Sequence, residues 1–253
     1  MYRSVVDPLI IAVILAGALA GLVQGISGFA FVLVATAMLA WVLPPDMLVP
    51  VVICGAFVAQ LSSIASVRAH FEVRRAAPFL SGGLLGLPLG FMLLRVIDVA
   101  VFRLCVGIAL MVYCSIMLAC RTFPVVRAGG RLADGGVGFI AGIMSGVCGL
   151  SGPPMTLWCA LRGWPKEVQR ATFQSFFIFT QIVLLPVFLW QGLLGPKTLL
   201  LVAAIVPASV AGSLMGARLF RRFSDQTFRT LIFVLLLLSG AALVFPAVHA
   251  AFS

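Results

Sequence analysis

The chain has 253 residues, of which 62% are hydrophobic and 9% charged, and its formal net charge is +10. Soluble domains carry about 25% charged residues, so this composition excludes a soluble protein and indicates an integral membrane protein. The Lys and Arg residues lie singly or in pairs between apolar segments, without a basic run interleaved with aromatics. This pattern argues against nucleic acid as a partner and makes the lipid bilayer the expected surroundings.

Ten apolar runs follow one another and occupy almost the whole chain. A helix needs about 20 apolar residues to cross a bilayer, and runs without period-2 alternation favour helices over a transmembrane barrel. We therefore predict an all-α, polytopic transmembrane helical bundle that forms one membrane domain over residues 1–253. The runs are approximately 5–24, 28–43, 47–67, 76–94, 99–120, 135–149, 153–161, 171–191, 198–217 and 230–248.

The first run also has features of a secretory signal peptide, because Arg3 precedes an apolar stretch that ends in "ALA" at 18–20. Asp7 and Pro8 are atypical of the basic region of such a peptide. The run also has an internal counterpart further along the chain, which would not be cleaved. We expect it to be the first membrane helix.

Two clusters of small residues interrupt the apolar runs: "GISGFAF" at 25–31 and "GVCGLSGPP" at 146–154. Two adjacent prolines after two glycines cannot continue a helix, and the nine residues of run 153–161 are too few to span a bilayer. Each cluster therefore predicts a Gly-broken hairpin, either spanning or re-entrant. For the other regularly spaced glycines we predict close packing between helices; they are Gly17, Gly21, Gly25, Gly82, Gly86 and Gly90.

The two clusters belong to an internal duplication. A shift of 121 residues places Gly28 on Gly149 and Gln60 on Gln181. With a shift of 126 for the later segments, the pattern predicts repeat 1 at about 5–120 and repeat 2 at about 134–248. Each repeat contains an odd number of runs.

The basic residues predict the topology. Most of the 17 Lys and Arg residues fall in the loops after the third, fifth, seventh and ninth runs, and the positive-inside rule makes those loops cytoplasmic. The odd number of runs then orients the repeats oppositely, which is the inverted-repeat plan of many secondary transporters that work by alternating access. The thirteen residues are Arg68, Arg74, Arg75, Arg121, Arg127, Arg131, Arg162, Lys166, Arg170, Arg218, Arg221, Arg222 and Arg229.

The second cluster, within "GIMSGVCGLSGPPMTLW", resembles the Gly-rich stretch ending in proline of the sulfite exporter family TauE/SafE. The first, within "GLVQGISGFAFVLVATAML", is similar but lacks most of the glycine run and the proline. The resemblance covers almost the whole chain. It implies a transporter of the inner or plasma membrane that exports small anions such as sulfite, organosulfonates or related oxyanions.

Inverted repeats bring equivalent positions together near the bilayer midplane, and helix N-termini after the breaks favour an anion there. We predict a substrate site of neutral groups, with no cofactor, no metal ligand and no Lys or Arg at that depth. For the two glutamines, hydrogen bonding between helices is an equal alternative. The candidate residues are Ser27, Gly28, Gly149, Ser151, Gly152, Pro153, Pro154, Gln60 and Gln181.

The ionisable residues weigh against other classes. All seven carboxylates lie at or outside the ends of the runs, where we expect water to replace them, and this disfavours a proton relay or a cation transporter. "GISG" and "GLSG" also match the G-x-S-G of a rhomboid-like intramembrane serine protease, but His70 and His249 lie too far from the clusters to act as its base. We expect no enzyme. A passive anion channel of the same fold is an alternative, and the sequence leaves a homo-oligomer open.

The topology can be tested with single cysteines introduced into a cysteine-free variant. We expect a membrane-impermeant reagent to label intact cells only at the termini and in the loops 95–98 and 192–197, because the other loops carry the thirteen basic residues. Labelling of the 121–134 loop from outside would contradict this topology.

Overall fold

The computed structural model describes residues 3–63, 73–119, 125–126 and 128–219, together with short helical pieces between 233 and 245. These described residues form helices and short connections, with no strand among them. The prediction of an all-α polytopic bundle is confirmed, since α1, α3, α4, α5, α8 and α9 are each long and apolar enough to cross a membrane. The helices are α1 (Arg3–Ser27), α2 (Phe31–Leu39), α3 (Pro45–Ser63), α4 (Val73–Val96), α5 (Val99–Ala119), α6 (Gly130–Cys148), α7 (Gly152–Leu161), α8 (Lys166–Trp190) and α9 (Pro196–Leu219).

Several helices begin earlier than the apolar runs indicate. In particular, α8 begins at Lys166, so the end of the predicted loop 162–170 is its first turn. The stretch "KEVQR" at 166–170 is polar but contains no Gly or Pro, so nothing in it opposes a helix. This shift matters for the site, because it places Arg170 on a helix and not in a loop.

The two helix breaks lie at equivalent positions. Gly28 follows α1 with a φ of 82°, and Gly149 follows α6 with a φ of 72°. Both values are in the left-handed region, which glycine adopts without the steric cost that other residues have. The separation of the two glycines is the 121-residue shift of the duplication. The boundaries of the repeats stay a prediction.

Glycines hold the helices of the two halves against one another. A Cβ on Gly17 would lie 2.7 Å from Ile205 Cγ1, and one on Gly146 would lie 2.6 Å from the backbone nitrogen of Phe91. The packing role predicted for six glycines is therefore confirmed. On α1, Gly17, Gly21 and Gly25 face Ile205, Ser209 and Ser213 of α9; on α4, Gly82, Gly86 and Gly90 face Gly135, Phe139 and Ile143 of α6.

These contacts also fix helix direction. Because the contacts advance together along both partners, α1 runs parallel to α9, and α4 runs parallel to α6. The topology predicted from the basic residues requires α1 to be parallel to α9 and α4 to be parallel to α6. Each pair joins a helix of the first half to a helix of the second half.

The end of the α6–α7 hairpin opposite the break is closed by a buried ion pair. Asp134 Oδ1 accepts hydrogen bonds from Arg162 Nη2 at 2.8 Å, from Arg162 Nε at 3.1 Å and from Trp158 Nε1 at 2.8 Å. The Arg162 guanidinium carbon also lies 5.3 Å from the centroid of the Trp158 ring. The start of α6 is thus bound to the end of α7, so the chain returns to the side at which α6 began.

Asp134 overturns one expectation. It is only 6% exposed, so water does not replace its contacts. Its partner Arg162 comes 28 residues later, a separation at which sequence alone gives no pairing signal. Asp46 and Asp98 are exposed as expected, whereas the side chains of Asp7, Glu72, Glu167 and Asp225, and both histidines, lie outside the described residues.

The α4–α6 contact can be tested with two alanine variants. Gly86→Ala places a methyl group against the Phe139 carbonyl oxygen, so we expect the helices to separate and the protein to melt at a lower temperature than wild type. Gly136→Ala on the exposed side of α6 meets nothing within 4 Å, and alanine favours a helix by roughly 1 kcal/mol over glycine. Equal melting of the two variants in detergent would contradict the packing role.

The ion pair predicts that Asp134→Asn lowers the melting temperature more than Asp46→Asn does, although both changes keep the shape of the side chain. Asp134→Asn leaves the mostly buried Arg162 without its counter-charge, so we expect a clear fall in melting temperature. Asp46→Asn, at an exposed site on α3, is the control and is expected to melt within a degree or so of wild type, because exposed charges contribute little to stability. If Asp134→Asn matches this control, the hairpin does not depend on the pair.

Candidate functional site

A small cavity lies between the two breaks. Its volume is about 10 Å³, close to the least space that holds one water molecule. Its walls come from α1, α2, α3, α8 and the connection between α6 and α7. The lining residues are Gln24, Phe29, Phe31, Val32, Leu33, Ala56, Gln60, Gly149, Leu150, Ser151, Gly152, Phe177 and Gln181.

The structure brings five of the nine candidate residues together and leaves the other four outside the cavity wall. Pro153 and Pro154 are in the first turn of α7, where their missing N–H groups leave no unmet hydrogen bond. Ser27 and Gly28 form the first break. The five that line the cavity are Gln60, Gly149, Ser151, Gly152 and Gln181.

The second break presents hydrogen-bond donors to the cavity. The backbone N–H groups of residues 149–151 are bonded within the break and to the end of α6. Gly152 N–H and the Ser151 hydroxyl make no hydrogen bond within the part of the chain that the structure describes, and Ser151 is 5% exposed. These two donors lie at the N-terminus of α7, where the helix dipole is positive.

Gly152 and Gly149 have different roles in this break. A Cβ on Gly152 would meet no atom closer than Phe29 and Phe177, at 3.9 to 4.0 Å, so packing does not require glycine there. At Gly149 the positive φ requires it, and a Cβ would also lie 3.1 Å from Ile53 Cδ1. Gly149 therefore shapes the break, whereas Gly152 leaves the cavity open.

The first break uses its donors internally. The Ser27 hydroxyl donates to the Val23 carbonyl at 2.8 Å and accepts from the backbone N–H of Ala30 at 3.2 Å. The N–H of Phe31, the first residue of α2, donates to Gln24 Oε1 at 3.1 Å. The first N–H of α2 is thus bonded to α1, whereas the first N–H of α7, that of Gly152, makes no bond within the described residues.

Buried glutamines add amide groups to the cavity. Gln60 of α3 and Gln181 of α8, the pair predicted from the repeat, both line it. Gln181 Oε1 and Gln24 Nε2 have no hydrogen-bond partner among the described residues, and the two side chains are 3% and 0% exposed. A buried amide without a partner costs about 1 to 3 kcal/mol, so these groups are suited to binding a polar ligand.

Sequence reasoning did not select Gln24 for the site. The signal was present, because the 121-residue shift places Gln24 on Ser145, another buried polar residue whose hydroxyl lacks a partner in the described structure. It also did not select the aromatic residues of the wall. Phe29, which lies in the first break, packs edge-on against Phe173 of α8 with ring centroids 5.8 Å apart.

A cation lies at the first break, outside the wall of the cavity, and the absence of Lys and Arg at the depth of the substrate site stays a prediction. The Arg170 guanidinium approaches Gly28 so closely that Nε and Nη2 lie 2.7 and 3.1 Å from the position a Cβ would take. One turn further along α8, Gln174 Nε2 donates to the Gly28 carbonyl at 3.1 Å. The early start of α8 accounts for this contact, because it places Arg170 on a helix that packs beside Gly28.

Comparisons with known proteins identify the family of the chain. A relative from Cupriavidus necator, described as "Probable sulfite/organosulfonate exporter TauE", is 29% identical over 185 residues, which is 72% of each chain. No solved structure matches the chain. The family model "Sulfite exporter TauE/SafE" matches residues 13–243. The match spans both breaks, the cavity and the two helix pairs that join the halves of the chain. The chain is therefore a multi-pass membrane protein that belongs to the TauE/SafE family of sulfite exporters.

Proposed function

We propose that the chain is a secondary transporter that exports a small oxyanion of the sulfite or organosulfonate class from the cell by alternating access. The family and the name of the Cupriavidus necator relative support the substrate class. The parallel helix pairs that join the two halves, and the equivalent breaks, support two inverted repeats at about 5–120 and 134–248.

The observation that carries this proposal is the set of polar groups without partners at the second break. Gly152 N–H, the Ser151 hydroxyl and the Gln24 amide nitrogen are donors that border one cavity. Donors at a helix N-terminus bind oxyanions readily. Because none of these groups carries a formal charge, the site binds weakly enough to release its cargo. In this proposal Ser151 is a hydrogen-bond donor and not a nucleophile.

The size of the cavity supports a cycle of opening and closing. About 10 Å³ holds at most one water molecule, and sulfite has four heavy atoms. Binding therefore requires the walls to separate. The tight glycine contacts within α1–α9 and within α4–α6 make each pair a stiff unit, so we expect the opening to occur between these units.

The site can be tested with two variants of one residue. Gly152→Leu fills the cavity, whereas Gly152→Ala adds only a methyl group at ordinary contact distance. We expect Gly152→Leu to melt at a lower temperature than Gly152→Ala, because leucine overfills the cavity. Sulfite should raise the melting temperature of wild type and Gly152→Ala but not of Gly152→Leu, because a ligand stabilises only the protein that binds it. Chloride at equal ionic strength is the control for salt effects.

Two outcomes would contradict the proposal. If Gly152→Leu responds to sulfite with unchanged affinity, the site lies elsewhere. In proteoliposomes, external unlabelled sulfite should accelerate the exit of labelled sulfite if access alternates. Absence of this acceleration, with rates that do not saturate, would indicate a passive anion channel.

A further inference from the structure

The wall of the cavity between the two breaks is neutral. Among the described residues that line it, the polar side chains are those of three glutamines and one serine, and none is a Lys, Arg, His, Asp or Glu. The free-energy cost of moving an ion out of water grows with the square of its charge, so a dianion costs roughly four times as much as a monoanion. A neutral wall offsets only part of this cost. The cavity is therefore suited to a ligand with a single negative charge.

The charged groups around the cavity do not alter this conclusion. Asp134 is paired with Arg162, and Arg170 packs against Gly28 outside the wall. On the helices that form the wall, none of the buried or half-buried titratable side chains that the structure describes lines the cavity. They are the thiols of Cys54, Cys148 and Cys159, the Asp134–Arg162 pair and Arg170.

Gln24 presents a donor to the cavity, and its orientation is fixed by α2. Its Oε1 accepts a hydrogen bond from the N–H of Phe31 at 3.1 Å, so the nitrogen and the oxygen of this amide cannot exchange places. Its Nε2 has no partner among the described residues, and the side chain is 0% exposed. With the Gly152 N–H and the Ser151 hydroxyl, this amide gives donors for the bare oxygens of an oxyanion.

Gln181 presents a group of the opposite kind. Its Oε1 is an acceptor without a partner in the described part of the chain, and the side chain is 3% exposed. A carbonyl oxygen repels a bare anionic oxygen but accepts a hydrogen bond from a hydroxyl. Hydrogensulfite in its hydroxyl form has one O–H group beside its bare oxygens, so it can pair with both kinds of group. The sulfite dianion would leave Gln181 Oε1 unpaired.

Organosulfonates meet the same limit on charge. Their sulfonate group carries one negative charge, and its oxygens can accept hydrogen bonds from the donors of the second break. The rest of the wall is largely apolar, with Phe29, Phe31 and Phe177 among its members. An apolar surface of this kind suits the carbon group of a sulfonate.

We propose that the cavity binds the singly charged form of its oxyanion, hydrogensulfite and not the sulfite dianion, and that Gln181 Oε1 accepts the hydrogen bond of the proton on this form. This inference rests on the proposed function, because it assumes that the cavity is the substrate site. Among the described residues no carboxylate lines the cavity. The proton therefore crosses the membrane on the cargo and not on an acidic side chain.

The first test is the pH dependence of binding to wild type. Equilibrium binding of labelled sulfite and labelled methanesulfonate is measured between about pH 6 and pH 9, a range in which hydrogensulfite loses its proton and methanesulfonate keeps its single charge. Above that ionisation we expect the Kd for total sulfite to rise about tenfold for each pH unit, because the binding form becomes scarce. The Kd for methanesulfonate should stay constant. It is the control for titration of protein groups, and any change in it is divided out.

One result of this measurement would overturn the proposal. If the dianion binds as well as hydrogensulfite, the corrected Kd for total sulfite stays constant with pH, and if the dianion binds better, this Kd falls as pH rises.

The second test removes the acceptor. Gln181→Met keeps a side chain of similar length, and we expect it to melt no lower than wild type without ligand, because the lost amide oxygen has no partner among the described residues. At the low end of the pH range its Kd for sulfite should rise about tenfold, as for loss of a hydrogen bond to a charged ligand. Its Kd for methanesulfonate should rise less, since that ligand has no hydroxyl.

Gln191→Met is the matched control, because Gln191 caps the other end of the same helix and is not part of the wall. It should change neither Kd. An equal rise for both ligands in Gln181→Met, or Kd values equal to those of Gln191→Met, would overturn the role of Gln181. The measurement on wild type decides the charge of the ligand even if Gln181→Met does not fold.

Failure of this inference differs from failure of the proposed function. If Gly152→Leu abolishes binding of both ligands while the Kd for sulfite in wild type does not follow pH, only this inference fails. If Gly152→Leu binds both ligands normally, the proposed cavity fails as well.

Discussion

The close approach of helix backbones at glycine residues is the constraint on which the rest of this structure depends. In a bilayer, burial of apolar surface gives little drive for helices to associate, so contact at short distance must supply it. Here the contacts cross between the halves of the chain, α1 with α9 and α6 with α4. Gly25 and Gly146, the last glycines of the two contacts, lie three residues before the breaks at Gly28 and Gly149. The same contacts that hold the halves together therefore set where the breaks meet.

The breaks have diverged in chemistry while keeping their geometry. In the first, Ser27 and Gln24 accept hydrogen bonds from the N–H groups of Ala30 and Phe31. Arg170 and Gln174 of α8 pack against Gly28. In the second, two prolines follow Gly152 in the first turn of α7, and the Gly152 N–H and the Ser151 hydroxyl make no hydrogen bond within the described residues. This difference agrees with the sequences, since only the second cluster keeps its proline and its full glycine run.

Much of the fold could be predicted because its signals are local. Apolar runs, glycines spaced by four residues and a Gly-Pro break each depend on a few neighbouring residues, and the structure has all three. The features that were missed depend on pairs of residues far apart in sequence. Asp134 is buried only because Arg162 reaches it, and Arg170 is part of the break only because a polar segment continues α8 by more than one turn. Gln24 was missed for another reason: its repeat partner is a serine, and the comparison relied on identical residues.

The ion pair between Asp134 and Arg162 has a consequence for biogenesis. Neither α6 nor α7 is among the described helices that are long and apolar enough to cross a membrane alone. An ionised carboxylate on α6 opposes transfer into lipid, and its counter-ion is synthesised only after α7 is complete. We infer that the translocon releases α6 and α7 into the bilayer together, as one neutralised insertion unit. Within this unit, α6 packs on the glycine-lined surface of α4, which precedes it in the chain.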